Sequence, residues 1–304
     1  MEFKVPPEYE GKLLREFLRN IPGVSGGILT ELKRTENGIT VNGEQRTVRF
    51  ILHSGDTVRI ELDSERKTDA EPVCIPLDII YEDGDMIAVN KPSGMPTHTS
   101  HNHHYDTLSN ALAYYYRDKN FVFRAANRLD NHTSGIVVVA KNRMAAYMLA
   151  DQFYKKDAKK VYYAVCHGVP DPPRGIIRKN IRRQAESVII RSVCDDGEGR
   201  VCVTEYECLK TAFYNGDAVS LMKLTPHTGR THQLRLHMAY IGAPVLGDGL
   251  YGDGFDADLH RLALHAGELV IKRPSDGKNI LLKAPVPSIF ESLFTDEIKN
   301  TAKT

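Results

Sequence analysis

Two chargeable residues stand just ahead of a run that must be buried. Asn127-Arg128-Leu129-Asp130-Asn131-His132-Thr133-Ser134-Gly135 leads directly into Ile136-Val137-Val138-Val139. Four apolar, mostly β-branched residues after a glycine predict a core strand. A carboxylate in the turn feeding such a strand is placed to act as a nucleophile or as a general base. Arg128 and Asp130 alone are equally consistent with a structural ion pair at a strand entrance. Three further stretches carry chemistry. Asn90-Lys91-Pro92-Ser93-Gly94 is a stiff loop after a strand. Lys160-Val161-Tyr162-Tyr163-Ala164 is a strand on which only one of the two tyrosines can face a given side. Thr228-Gly229-Arg230-Thr231-His232-Gln233-Leu234-Arg235-Leu236-His237 reads as a turn opening a helix. Arg230 is expected in its first turn, among free backbone N–H groups, and Leu234, Met238 and Ile241 are expected towards the core.

Arg-Leu-Asp, two free positions, Thr-Ser-Gly and an apolar strand resemble the signature of RluA-type pseudouridine synthases, which modify RNA. The Lys-x-Tyr-x-Ala segment and the Thr-Gly-Arg-Thr-His-Gln string resemble two more motifs of that family, in the same order, and the likeness runs from about Cys74 to Pro287. One departure is Asn127, where the family often has His. The resemblance implies that Asp130 is the catalytic residue, that Tyr162 enters the active site and that Arg230 pairs with Asp130. It implies substrate-side roles for Arg128, Leu234 and Lys91. The implied fold is α+β, a mixed and mostly antiparallel sheet preceded by a small α+β RNA-binding domain. Breaking the bond from sugar C1′ to base N1 and rejoining at C5 needs no redox equivalent and no phosphate energy, so no cofactor is expected.

Composition sets the frame for these residues. The chain has 304 residues, 41% apolar and 26% charged, the balance of a globular protein of more than one domain. No stretch is long and apolar enough to span a membrane, and Met1-Glu2-Phe3-Lys4 does not open a signal peptide, so a cytoplasmic protein is expected. The five cysteines contain no Cys-x-x-Cys pair and read as buried free thiols. His98, His101, His103 and His104 crowd one segment, but without regular spacing or a thiolate they predict a polar RNA-facing loop and no metal. The net charge of +1 means that RNA contact must come from local basic patches.

Four segments follow. Residues 1–63 hold two helical faces (Leu13, Leu14, Phe17, Leu18, then Ile28, Leu29, Leu32) and Ile39-Thr40-Val41 before an Asn42-Gly43 hairpin turn. Thr47-Val48-Arg49-Phe50 comes after the turn, and Thr57-Val58-Arg59-Ile60 is the next strand. This resembles the RNA-binding domain named after the fourth ribosomal small-subunit protein; a plain packing domain is the alternative. Residues 64–71 are a polar linker, 72–290 the catalytic domain, and 291–304 a polar tail. Within 72–290, helices are expected over Thr107–Lys119 and Arg143–Asp157. Strands Ile176–Arg178, Val188–Ile190, Val201–Cys208 and Val219–Leu221 form a meander, with turns such as Asp195-Asp196-Gly197. The partner is expected to be RNA, ribosomal ahead of transfer RNA, acted on by a monomer away from membranes. The rival readings are a non-catalytic RNA-binding or ribosome-assembly factor and a histidine-loop metallohydrolase.

Overall fold

The computed structural model describes residues 2–21, 24, 26–61, 70–184, 190–194, 198–252, 254 and 259–295. Most of the expected linker, the expected strand residues Val188 and Ile189, the turn at 195–197 and the end of the tail lie outside the described residues.

The N-terminal part has its own sheet. β1 (Glu2–Lys4), β2 (Ile39–Val41), β3 (Glu44–Gln45) and β4 (Thr57–Ile60) pair antiparallel in the order β1-β4-β2-β3. Asn42 and Gly43 both adopt positive φ, 51° and 85°, as a tight hairpin turn needs. The returning arm is only Glu44–Gln45. Thr47–Phe50 forms no strand, because its carbonyls serve α1 (Leu14–Asn20) instead. Leu14 N–H donates to Phe50 at 2.8 Å and Arg15 N–H to Val48 at 3.0 Å, which satisfies amides at a helix end without a side-chain cap. Leu14, Phe17 and Leu18 of α1 join Ile28 and Leu32 of α2 (Gly26–Leu32) in one core, and Met144 from the following domain enters the same cluster. Arg143 and Glu31 add an ion pair at 2.5 Å between these two parts of the chain.

The larger sheet has eleven strands: β5 (Ile79–Glu82), β6 (Met86–Lys91), β7 (Arg124–Ala125), β8 (Ser134–Ala140), β9 (Lys159–His167), β10 (Arg174–Arg183), β11 (Arg191–Cys194), β12 (Arg200–Tyr214), β13 (Asp217–Pro226), β14 (Leu264–Lys272) and β15 (Asn279–Lys283). Their order is β11-β10-β12-β13-β9-β14-β8-β6-β5, with β15 on β14 and β7 on β8. Among the described residues only β14 and β8 pair in parallel; the other pairings are antiparallel, as expected. All seven residues of β8 are buried. Ile136, Val138 and Ala140 meet the cluster of α4 (Arg143–Lys155), while Val137 and Val139 meet that of α3 (Leu108–Tyr115). A strand covered on both faces reads as a continuous apolar run. Gly135, at φ +112°, lies where any Cβ would overlap the Ala266 backbone. The close parallel pairing therefore needs glycine there.

The helices end where their caps allow. Thr107 and Asn110 form a capping box ahead of α3, which stops at Tyr115, short of the expected Lys119. Asn142 caps α4, and Lys156 closes it in the left-handed conformation. α5 (Gln233–Tyr240) opens three residues after Arg230, behind its N-cap His232, whose φ is +58°. Arg230 is thus in the preceding turn and not in the helix. A short α6 (Ser288–Ser292) follows. Among the described residues no helix is long and apolar enough to cross a membrane. Cys166, Cys194 and Cys202 are buried free thiols, but Cys74 is exposed and Cys208 half-buried.

Candidate active site

The loop carrying Asp130 is held almost residue by residue. Asn127 donates to Ile136 O at 3.0 Å and accepts Val138 N–H at 2.8 Å, so this departure from the family pattern fastens the loop to β8. Thr97 Oγ1 donates to Leu129 O at 3.3 Å, Gly94 N–H to Asn131 O at 3.0 Å and Ser93 Oγ to His132 O at 2.7 Å. Thr133 N–H closes the turn on Asp130 O at 3.1 Å. Loops are usually the mobile parts of a site; here backbone hydrogen bonds make this one a rigid mount.

Lys91 completes the mount. Its side chain is 1% exposed, and its Nζ donates to the carbonyls of Pro92 (2.9 Å), Met95 (2.6 Å) and Asn131 (3.1 Å). Burial pushes its pKa down to about 7, with the Asp130 charge pulling it up and Arg261 pulling it down. A lysine whose three N–H groups are spent on carbonyls has none left for a substrate, so the expected contact role is replaced by a positioning one. Lys91→Met is expected to cost roughly 1.5–3 kcal/mol, the range for hydrogen bonds from a charged donor. Thermal denaturation checks this, and a variant melting with the wild type would show that the carbonyls find other partners.

Asp130 itself keeps about one-third of its side chain exposed, beside the residue that precedes α5. On β9, Tyr162 is the tyrosine that senses it. Burial raises the Tyr162 hydroxyl above the ordinary tyrosine value, and the Asp130 charge raises it further. Tyr163 turns away, its hydroxyl donating to Glu268 at 3.3 Å. Held neutral, the Tyr162 hydroxyl is a donor, not a resident base. Arg128, two residues before Asp130, is exposed. With burial, its charge depresses the pKa of His98.

The third motif contributes differently from its expected form. Arg230 is exposed and is not within ion-pair distance of Asp130. His232 is: its Nε2 lies 3.9 Å from Asp130 Oδ2. Burial lowers the His232 pKa, opposed by Asp130, which favours a neutral ring. Tyr251 accepts the Arg191 N–H at 2.9 Å and sits 2.9 Å from His232 Nδ1. If Tyr251 donates to Nδ1, the ring proton lies on Nε2 and points at Asp130. Behind His232, Arg235 grips Asp248 through two bonds, Nε to Oδ2 at 2.7 Å and Nη2 to Oδ1 at 2.6 Å. Burial lowers the Arg235 pKa, but Asp248 and, more distantly, Asp130 lift it above its ordinary value. Arg235 is therefore, with Lys91, a buried cation in the field of Asp130. The turn before α5 leaves Arg230 in solvent, while the helix turns Arg235 inward.

The remaining motif residues lock α5 to the sheet. Gln233 donates to Val203 O (3.1 Å) and Thr204 Oγ1 (3.0 Å), and His237 Nδ1 meets the same hydroxyl at 2.9 Å. Leu234, expected on the substrate side, is buried in the main core cluster, against which Tyr162 packs. His98 packs edge-on to Phe123, His103 pairs with Asp106 at 2.7 Å, and His104 reaches His101 O at 2.7 Å. Among the described residues no three His, Cys, Asp or Glu side chains converge to hold a metal.

Residues 85–240 match the family model described as RNA pseudouridylate synthase. An uncharacterized RNA pseudouridine synthase of Bacillus subtilis is 33% identical over 95% of this chain and 98% of its own length. A ribosomal large subunit pseudouridine synthase D of Xanthomonas campestris is 33% identical over 98% of this chain and 93% of its own. Among solved structures, human RNA pseudouridylate synthase domain containing 1 superposes with a TM-score of 0.60 at 30% identity, covering 71% of this chain and 85% of that one.

Proposed function

Because the chain belongs to the RNA pseudouridylate synthase family, we propose that Asp130 is its catalytic carboxylate and that the uridines it isomerises lie in large-subunit ribosomal RNA. As an isomerase of that family it acts on RNA, so the catalytic reading stands ahead of a non-catalytic assembly factor. The observation that carries the site assignment is convergence. The rigidly mounted carboxylate of one motif lies 3.9 Å from the histidine of another, and its charge reaches the buried tyrosine of a third and the arginine behind that histidine.

The reaction breaks the C1′–N1 bond, turns the base and forms the C1′–C5 bond; the proton on C5 is lost and N1 gains one. Asp130 serves as nucleophile at C1′ or as base on the sugar. Extruding the base costs a few kcal/mol, which the Tyr162 ring offsets by packing against it. His232, 3.9 Å away, and Arg235 behind it aim the carboxylate. Arg128 contacts the backbone beside the displaced nucleotide. The enzyme works as a cytoplasmic monomer. Pseudouridine mapping across total RNA, with and without the gene, tests the substrate: missing sites in the large-subunit RNA of the deletion strain are expected, and losses confined to transfer RNA would overturn it.

Residues 1–63 serve as an RNA-binding domain whose cations are not equivalent. Arg46 is paired with Glu44, and Arg59 with Glu61 at 2.7 Å. Lys33, Arg34 and Arg49 are exposed and have no ion pair among the described residues. Replacing those three by alanine is expected to shallow the slope of log affinity against log salt by roughly 2 to 3, about one counterion for each phosphate no longer neutralised. Arg46→Ala and Arg59→Ala are expected to change it far less. Equal slopes for all five would show that this patch does not touch RNA.

A further inference from the structure

A second cavity-forming surface adjoins the same loop that delivers His232 to Asp130. A cavity of about 470 Å³ opens between Lys156, at the end of α4, and the outer faces of β10 and β12, and His227 and Thr228 form its nearer wall. Its floor is apolar and uncovered: Ile176 is 65% exposed and Val201 52%. They stand on one sheet face on either side of the cross-strand pair Arg178 and Val203, an apolar surface without its partner. The rim is cationic. Lys156 and Arg178 are exposed, and neither has an ion pair among the described residues. Lys160 approaches the same loop from β9, where a methyl group on Gly229 would lie 3.5 Å from its Nζ. Glu205, across the strand pair from Ile176, is engaged with His227 at 3.3 Å.

We propose that this groove carries the single-stranded RNA flanking the target uridine, with phosphates on Lys156 and Arg178 and bases over Ile176 and Val201. The inference rests on the RNA isomerase reading and extends it to a second RNA-binding surface. Continuity supports it. Thr228 lines the groove and His232 touches the Asp130 site, and four residues of chain span at most about 14 Å. A strand leaving the active site thus meets the groove within a few nucleotides. The apolar floor selects a single strand, because a duplex presents its phosphates outward and would leave that floor uncovered.

The test uses the full-length chain, an oligouridylate longer than the groove and uridine trinucleotide. Lys156→Ala/Arg178→Ala is expected to melt with the wild type. It should flatten the salt slope on the long strand by about 1.4, at roughly 0.7 for each single-strand phosphate no longer neutralised. Between 50 and 200 mM salt the affinity of the wild type would then fall about sevenfold further than that of the variant. Trinucleotide binding should be unchanged, and Lys156→Arg/Arg178→Lys should restore the slope. An unchanged slope in the folded double variant overturns the groove assignment, as does an RNA duplex competing as well as the single strand. Failure of the isomerase reading would appear separately, as an absence of tritium release from C5-labelled RNA by the wild type.

Discussion

Asp130→Asn is expected to leave a folded protein that releases tritium from C5-labelled uridine in RNA slower by on the order of 10⁴-fold or more, the scale on which enzymes respond to losing an essential nucleophile or base. The amide keeps the shape of the side chain but can neither attack C1′ nor accept a proton. Stability should hardly move. The carboxylate is one-third exposed, the ionisable side chain within ion-pair distance of it among the described residues is His232 at 3.9 Å, and the loop is fastened by the backbone of residues 129–133, not by this side chain. Substitutions of that kind usually fall within about 0.5 kcal/mol. A melting temperature equal to the wild type with no tritium release is the expected pair of results. Wild-type release would remove Asp130 from the chemistry altogether.

What was legible in the sequence followed from local signals. β8 was visible because a strand buried on both faces must be continuously apolar, and α4 because Ala145, Ala146, Met148, Leu149 and Phe153 recur along it, its caps Asn142 and Lys156 emerging only in the structure. Tyr162 could be separated from Tyr163 only in principle, since alternation says that they face opposite ways but not which way; the pairing of β9 with β13 and β14 decides it. Lys91 and Arg235 were harder. A lysine after a strand looks like a substrate ligand until the carbonyls of Pro92, Met95 and Asn131 are seen to converge on it, and two of those lie in a loop whose path the sequence does not dictate. Arg230 and Arg235 share one motif, and Arg230 follows the glycine. Yet Arg235 stands between Leu234 and Leu236 in a helix with six consecutive buried residues. An arginine in such a setting requires a buried carboxylate, and Asp248 was there to be found in Leu246-Gly247-Asp248. His232 gave no signal of its own, because its left-handed backbone exists only where the turn meets α5.

Arg235→Ala is expected to damage both stability and activity, whereas Arg230→Ala should leave stability within about 0.5 kcal/mol, as for an exposed side chain. The Arg235 and Asp248 side chains are 8% and 0% exposed. Removing the guanidinium strands a buried carboxylate, at about 3–5 kcal/mol, or on the order of 10 °C in melting temperature for a domain of this size. The pH dependence has a definite sign. In the wild type, burial works to raise the Asp248 pKa, but the bonds from Arg235 and from the Leu250 and Tyr251 amides bring it below the ordinary carboxylate value. Its contribution is therefore present above about pH 4, the unfolded value, and is lost as the pH falls through the folded one. Without Arg235, burial dominates and the pKa rises, so the variant gains relative stability as the carboxyl protonates. The gap in melting temperature between the two should narrow from pH 7 towards pH 4; a constant gap would show that Asp248 is not the stranded charge. Activity needs a separate control, since an unstable protein is also a slow one. Arg235→Met/Asp248→Leu replaces the pair by apolar groups and should recover much of the melting temperature, as such replacements often do. If Arg235 aims Asp130, that double variant stays slow although it is stable. Recovery of the full rate together with stability would make Arg235 a purely structural residue and leave the orientation of Asp130 to His232.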